Sequence, residues 1–278
     1  MIPVRGLRLH LRRWPGEAGP LKVILHGWSD TSGTWQRVAR HLPPQWNLAA
    51  PDWRGFGLSE RGGDTYIFPD YLGDLDTLLG LISEEPVDLI GHSMGGQIAT
   101  LYAGLRPARV RRLVVLDSLY LPRSEPAQAP KRLREWLDDL PRETADRCYD
   151  SVEELARRTA KYHGGLDEAG ALEVASAWSE PLSDGRVRLL ADPRHRQRGP
   201  LLYRDEEALA VFSEITAPTL VLDADRSNLK SMCPPEQRAA RIAAIPGARH
   251  AVLEDCGHMM HFDAPERTAA AIREFLDV

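Results

Sequence analysis

Apolar and polar positions change rhythm along the chain, and each rhythm predicts an element. Residues 4–14 alternate, with Leu7, Leu9 and Leu11 on one face, the period of an antiparallel edge strand or hairpin. Residues 21–25 are a short, mostly apolar run, which predicts a buried strand leading into His26-Gly27-Trp28. A helix is expected from about 33 to 41, then a strand over 46–50 that ends at Pro51-Asp52. After a glycine-rich loop from 54 to 63 come a helix over about 69–82 and a strand over 87–90. A helix over about 97–103 and a strand over 110–116 follow, the latter ending in Asp117. Strands alternating with helices predict an α/β fold: a mostly parallel central sheet flanked by helices on both faces.

That alternation stops at Pro122. Through about Val211 helical periodicity continues with no convincing strand, and charge and proline are frequent. It resumes with a strand over 219–222, a helix near 235–244, a strand around 251–253 and a last helix over 265–276. The expected organisation is a core of residues 1–121 and 212–278 with a helical cap, residues 122–211, inserted between two strands. Leu133, Trp136, Leu137 and Leu140 give the cap an apolar side, expected to pack on the open edge of the sheet and to roof an apolar pocket.

Composition narrows the function classes. A chain of 278 residues, 43% hydrophobic, holds one large core, with or without a small accessory domain. Net charge is −5 and the Lys and Arg residues are scattered, so no nucleic-acid footprint is expected. No apolar run approaches the ~20 residues of a membrane span, and no signal-peptide pattern precedes Leu11-Arg12-Arg13. Cys148, Cys233 and Cys256 are odd in number and far apart, which predicts a reducing compartment, without a disulfide framework or metal-ligand spacing. A cytoplasmic monomer or homodimer without cofactor or metal is the expectation.

Chemistry concentrates at Gly91-His92-Ser93-Met94-Gly95, between the strand over 87–90 and the helix after it. Strand, G-x-S-x-G and helix form a nucleophile elbow: a strained turn that pushes a serine hydroxyl out at the carboxyl edge of the sheet. The flanking glycines are needed because a Cβ would collide with the neighbouring strand and helix. A serine hydroxyl is a weak nucleophile near neutral pH, so Ser93 needs a general base.

His26-Gly27-Trp28, Asp52-Trp53-Arg54-Gly55-Phe56-Gly57-Leu58-Ser59, the Ser93 elbow and Gly257-His258 occur in an order and spacing that resemble the α/β-hydrolase fold superfamily. The resemblance covers the chain apart from the cap. It is strongest to the capped branch that includes esterases, serine-hydrolase-like proteins, haloalkane dehalogenases and epoxide hydrolases. The last two use aspartate at the elbow, and Ser93 argues against both. The resemblance implies a cap after the family's strand six, here the strand over 110–116, and His258 as the base, between the last strand and the last helix.

The acid is less direct. The family's usual place, after strand seven, is Ser227 here, with Asp225 two residues early; the alternative, after strand six, is Asp117. The serine at 227 favours Asp117, and Asp225 stays the alternative acid. Its task is to hold the His258 tautomer and stabilise the imidazolium. The oxyanion hole is expected from the backbone N–H groups of Met94 and Trp28. His92, His261 and His26 read as structural, and Asp30 as a cap of the following turn. The 54–57 loop lacks the Lys-Ser/Thr of a phosphate loop. Arg194, Arg196 and Arg198 read as a solvated surface paired with nearby acids, and Cys256 as buried and not a nucleophile.

The expected function is a serine hydrolase cleaving a carboxylic ester or related acyl bond of a small-molecule substrate through an acyl-enzyme. A ligand-binding protein on the same scaffold, or a C–C bond hydrolase or lyase, remains the alternative.

Overall fold

The computed structural model describes residues 1–163 and 166–277; Gly164, Gly165 and Val278 lie outside the described residues. A hairpin of β1 (Ile2–Val4) and β2 (Leu7–Leu9) precedes β3 (Leu11–Trp14), so the alternating segment makes both a hairpin and an edge strand. β4 (Ala18–Leu25), β5 (Trp46–Pro51), β6 (Val87–His92) and β7 (Val110–Leu116) build the sheet outward from there. The insert carries three short strands, β8 (Cys148–Tyr149), β9 (Ser179–Pro181) and β10 (Val187–Leu189). β11 (Thr219–Ala224) and β12 (Arg249–Leu253) then complete the central sheet. Its order is β12-β11-β7-β6-β4-β5-β3, parallel except for β3, which pairs antiparallel with β5. The family's strand six is β7.

Both faces are covered, and the pleat shows it residue by residue. Val23, Leu25, Leu89, Val115 and Val221 point into one core cluster, Ile24, Ile90, Val114, Leu116 and Leu222 into the other. The first cluster packs under α2 (Phe68–Ile82) and α3 (Met94–Leu105), the second under α10 (Pro265–Leu276) and α1 (Gln36–Ala39). The helix expected over 33–41 is a 3₁₀ turn, Ser32–Trp35, followed by that single turn of α1.

The insert departs from expectation in three ways. First, it contains strand: β8, β10 and β9 form a small antiparallel sheet beside α5 (Val152–Tyr162) and α6 (Glu168–Trp178), which share a core of Leu155, Ala156, Ala171 and Ala175. Segments of two and three residues are too short for a legible period. Second, α7 (Asp205–Phe212), grouped by the pattern with the insert, packs on α3, with Ala208 and Phe212 in the same buried cluster as Tyr102 and Ala103. Third, α4 (Ala129–Asp139) buries its apolar side only in part: Trp136 is half-buried, but Leu133, Leu137 and Leu140 are 43%, 56% and 37% exposed. The sheet offers it no bare face, and its anchor is polar, with Asp139 accepting from Gln197 Nε2 at its carbonyl (3.0 Å) and from the Arg198 N–H at its carboxylate (3.3 Å).

Several contacts tie the insert to the core, among them Arg37 to Glu173 (3.2 Å) and Tyr66 to Asp192 (2.8 Å). Trp178 Nε1 donates to Asp30 (2.8 Å) and Thr31 Oγ1 to the Ala177 carbonyl (3.0 Å). Farther on, the His195 ring lies between Phe56 and Tyr66, with centroids 3.7 Å apart on each side. Among the described residues no helix is long and apolar enough to cross a membrane.

Candidate active site

Ser93 follows β6 directly and sits at φ 53°, ψ −119°, a conformation that costs an L-residue energy and is held here by its surroundings. Its N–H donates to the Leu116 carbonyl (3.0 Å), and its carbonyl accepts from the Gln97 N–H (3.0 Å) and from Ser118 Oγ (2.6 Å). Space is the reason for the glycines. A Cβ on Gly91 would lie 2.5 Å from the Gly95 carbonyl oxygen, and one on Gly95 would lie 2.2 Å from that of Leu25. The strand, the elbow and α3 touch backbone to backbone.

The structure brings Ser93, His258 and Asp117 together from three separate connections. His258 Nδ1 donates to Asp117 Oδ2 (2.7 Å), which leaves Nε2 as the acceptor facing Ser93 Oγ at 3.1 Å. Asp117 ends β7 in a left-handed conformation (φ 40°) and is fully buried. Its second oxygen accepts the Ala224 N–H (3.0 Å), and Ser227 Oγ donates to Oδ2 at 2.5 Å. Asp225, the alternative acid, instead accepts the Cys256 N–H (2.9 Å), which holds its carboxyl below the usual range.

Met94 opens α3, so its N–H is among those a helix leaves without an internal partner. Trp28 follows Gly27, where a Cβ would come within 3.1 Å of Ser93 Cβ. Both residues line a cavity of about 740 Å³ with Ser93 and His258 on its wall. Leu119, Leu229, Met232 and Met259 make much of the remainder apolar. The insert contributes Tyr162 and His163, and the turn 226–232 supplies four lining residues, Arg226, Asn228, Leu229 and Met232.

The remaining histidines hold the scaffold. His92 donates from Nε2 to the His258 carbonyl (2.8 Å), and burial keeps it neutral, well below the usual imidazole range. His261 donates from Nε2 to Asp30 (3.0 Å) and stacks on Trp35 at 4.7 Å. His26 donates from Nδ1 to the Gly27 carbonyl (2.7 Å) and accepts the Trp53 N–H at Nε2 (3.0 Å). Thr31, not Asp30, caps the 3₁₀ turn; Asp30 accepts side chains, from Thr34, Trp178 and His261. Burial opposes its ionisation, but the donors from His261 and Trp178 hold its carboxyl below the usual range.

Asp30, His92 and His261 place ligand atoms within 4.8 Å of one another. Asp30 and both Nε2 atoms are already engaged, which leaves only the two Nδ1 atoms of the histidines, too few donors for a stable metal site. Cys256 is buried, and burial pushes its thiol up to about 11. Arg194 pairs with Asp192 (3.8 Å), Arg198 with Glu135 (3.7 Å), and Arg196 donates to the Ala145 carbonyl (3.3 Å). Ser118, Trp178 and the hydroxyl of Ser227 carry no sequence signal for the contacts they make; only the position of Ser227 in the chain order marks it.

A sequence model of the alpha/beta hydrolase fold matches residues 23–265. Lipase LipV of Mycobacterium tuberculosis is 30% identical, covering 96% of this chain and 97% of its own. A serine hydrolase-like protein of Danio rerio is 26% identical over 99% of this chain and 87% of its own. Among solved structures, the thioesterase domain from the curacin biosynthetic pathway superposes with a TM-score of 0.86 at 26% identity, covering 98% of this chain and 97% of that one. With a parallel sheet, an elbow serine and these relatives, the chain belongs to the alpha/beta hydrolase fold family.

Proposed function

We propose that this chain is a serine hydrolase that cleaves a carboxylic ester or a related acyl bond of a small, largely apolar substrate. Ser93 Oγ attacks the acyl carbon while its proton passes to His258 Nε2. The carbonyl oxygen, now an anion, is received by the N–H groups of Met94 and Trp28. Collapse breaks the bond to the leaving group, which takes the proton from His258 and departs, leaving Ser93 acylated. A water, deprotonated by the same nitrogen, then attacks the acyl-enzyme; the bond to Ser93 Oγ breaks, Oγ takes the proton back from His258, and the acid is released. Asp117 keeps the Nδ1 proton in place and stabilises the imidazolium at each step.

The observation that carries this reading is the chain of hydrogen bonds from Asp117 through His258 to Ser93, 2.7 and 3.1 Å, on the wall of an apolar cavity. The lipase, serine hydrolase-like and thioesterase names of similar proteins agree with acyl chemistry. The test is a fluorophosphonate probe on wild type and Ser93→Ala, followed by p-nitrophenyl esters of increasing chain length. Label and turnover that vanish with Ser93→Ala support the mechanism. A wild type that takes no label and turns over no ester points to a ligand-binding protein, and a Ser93→Ala variant that keeps turnover removes Ser93 from the mechanism.

A further inference from the structure

Asp117 Oδ2 accepts two hydrogen bonds at once, from His258 Nδ1 at 2.7 Å and from Ser227 Oγ at 2.5 Å. The Ser227 hydroxyl is itself oriented. Its oxygen accepts the Leu229 N–H (3.2 Å), so its proton is directed at the carboxylate. Ser227 is 6% exposed and Asp117 fully buried, so water does not compete for either bond. The other carboxylate oxygen is fixed by the Ala224 N–H (3.0 Å). Two donors from the end of β11 and the turn after it therefore set the rotation of a carboxylate borne by β7.

We infer that Ser227 is a positioning residue for the Asp117–His258 pair: it fixes which oxygen meets the ring and draws charge from that oxygen. The inference rests on the hydrolase reading above only for its effect on rate. A carboxylate oxygen that shares its charge with a hydroxyl proton stabilises the imidazolium less. Removing the hydroxyl therefore has two opposite consequences. The carboxylate turns more freely, so reaction slows. The oxygen facing the ring becomes more negative, so His258 takes its second proton at higher pH. Loss of the Leu229 cap alone would produce neither a shift of that midpoint nor its direction. Among the described residues the titratable and charged groups that share the ring's surroundings include Asp117, His92, His163, Asp263 and Arg226, and none of them is altered in the variant.

The experiment follows the rate of fluorophosphonate labelling of the full chain against pH, with histidine titration by NMR in parallel. Ser227→Ala is expected to label about 10-fold more slowly, the low end of what losing an outer hydrogen-bond partner costs at metal-bound histidines. Its acid limb and the NMR midpoint of His258 should both move to higher pH, whereas Ser227→Thr, which keeps the hydroxyl, should retain the wild-type profile. An unchanged midpoint in Ser227→Ala overturns the inference, as does a Ser227→Thr profile matching that of Ser227→Ala. If Ser227→Ala does not fold, Ser227→Thr against Ser227→Val, alike in shape and different in the hydroxyl, makes the same comparison. Failure of the wild type to label sinks the hydrolase reading, and the NMR midpoint then decides the role of Ser227 by itself.

Discussion

At the scale of single residues, the choice between Asp117 and Asp225 turns on what each carboxylate already holds. Asp117 is buried and faces the ring, whereas Asp225 is spent on the backbone N–H of Cys256 in the histidine loop. Asp117→Asn is expected to lower ester turnover by roughly 10⁴-fold, because the amide stabilises the wrong tautomer of His258. Asp225→Asn keeps an oxygen for the Cys256 N–H and is expected to cost far less. Steady-state kinetics of the two variants on one ester decides it, and the reverse ranking would move the acid to the loop after β11. Ser93 and His258 are legible in the sequence because a motif and a position in the chain order mark them. The acid is only half legible: sequence spacing shows that two aspartates end neighbouring strands, not which of them is turned to the ring. That depends on Ala224 and Ser227, contacts that join residues more than 100 positions apart.

At the scale of elements, β7 and β11 are hydrogen-bonded neighbours, and the residue after β7 meets the turn after β11: Asp117 holds the His258 ring and Ser227 holds Asp117. Side chains at 117 and 227 lie within hydrogen-bond reach of each other, one after each of two adjacent strands, which makes the acid's position exchangeable in principle. The double variant Asp117→Ser/Ser227→Asp should regain activity that Asp117→Ser alone has lost. A misplacement of about 1 Å costs roughly 10²-fold, so about 10²-fold of the loss should return. A double variant no more active than Asp117→Ser would show that the β11 turn does not direct a carboxylate at the ring. The central strands are readable because burial on both faces leaves them mostly apolar; Val23-Ile24-Leu25 and Leu113-Val114-Val115-Leu116 alternate between the opposed core clusters residue by residue. The insert is not, because β8, β9 and β10, two or three residues each, are too short for an alternation to repeat. The amphipathic spacing of α4 also misleads, since Leu133 and Leu137 remain exposed where no sheet face is free to receive them.

At the scale of the whole molecule, the junction between insert and core is itself titratable. His195 comes from the insert and is stacked between Phe56 and Tyr66 of the core, where burial pushes its imidazole down to about 3 from an ordinary 6.5. Burial likewise lowers His26 and His92 beside the site. In the unfolded chain these rings take a proton near pH 6.5; in the folded protein they resist it. A depressed folded value means that the stability is fully present above the unfolded value and is lost as pH falls toward the folded one. Thermal stability should therefore be steady above about pH 7.5 and decline from about pH 6.5 downward, before carboxylates titrate. His195→Phe keeps a flat ring between Phe56 and Tyr66 and removes one of the protons taken up on unfolding. It gives up the contact of Nδ1 with the Tyr71 hydroxyl (3.3 Å). Between pH 6 and 4 the variant's unfolding free energy should depend on pH less steeply than wild type, by up to about 1.4 kcal/mol per pH unit. Chemical denaturation at a series of pH values measures the two slopes. Equal slopes would mean that His195 is protonated as readily in the folded protein as out of it, and that the ring stack does not exclude water from the junction.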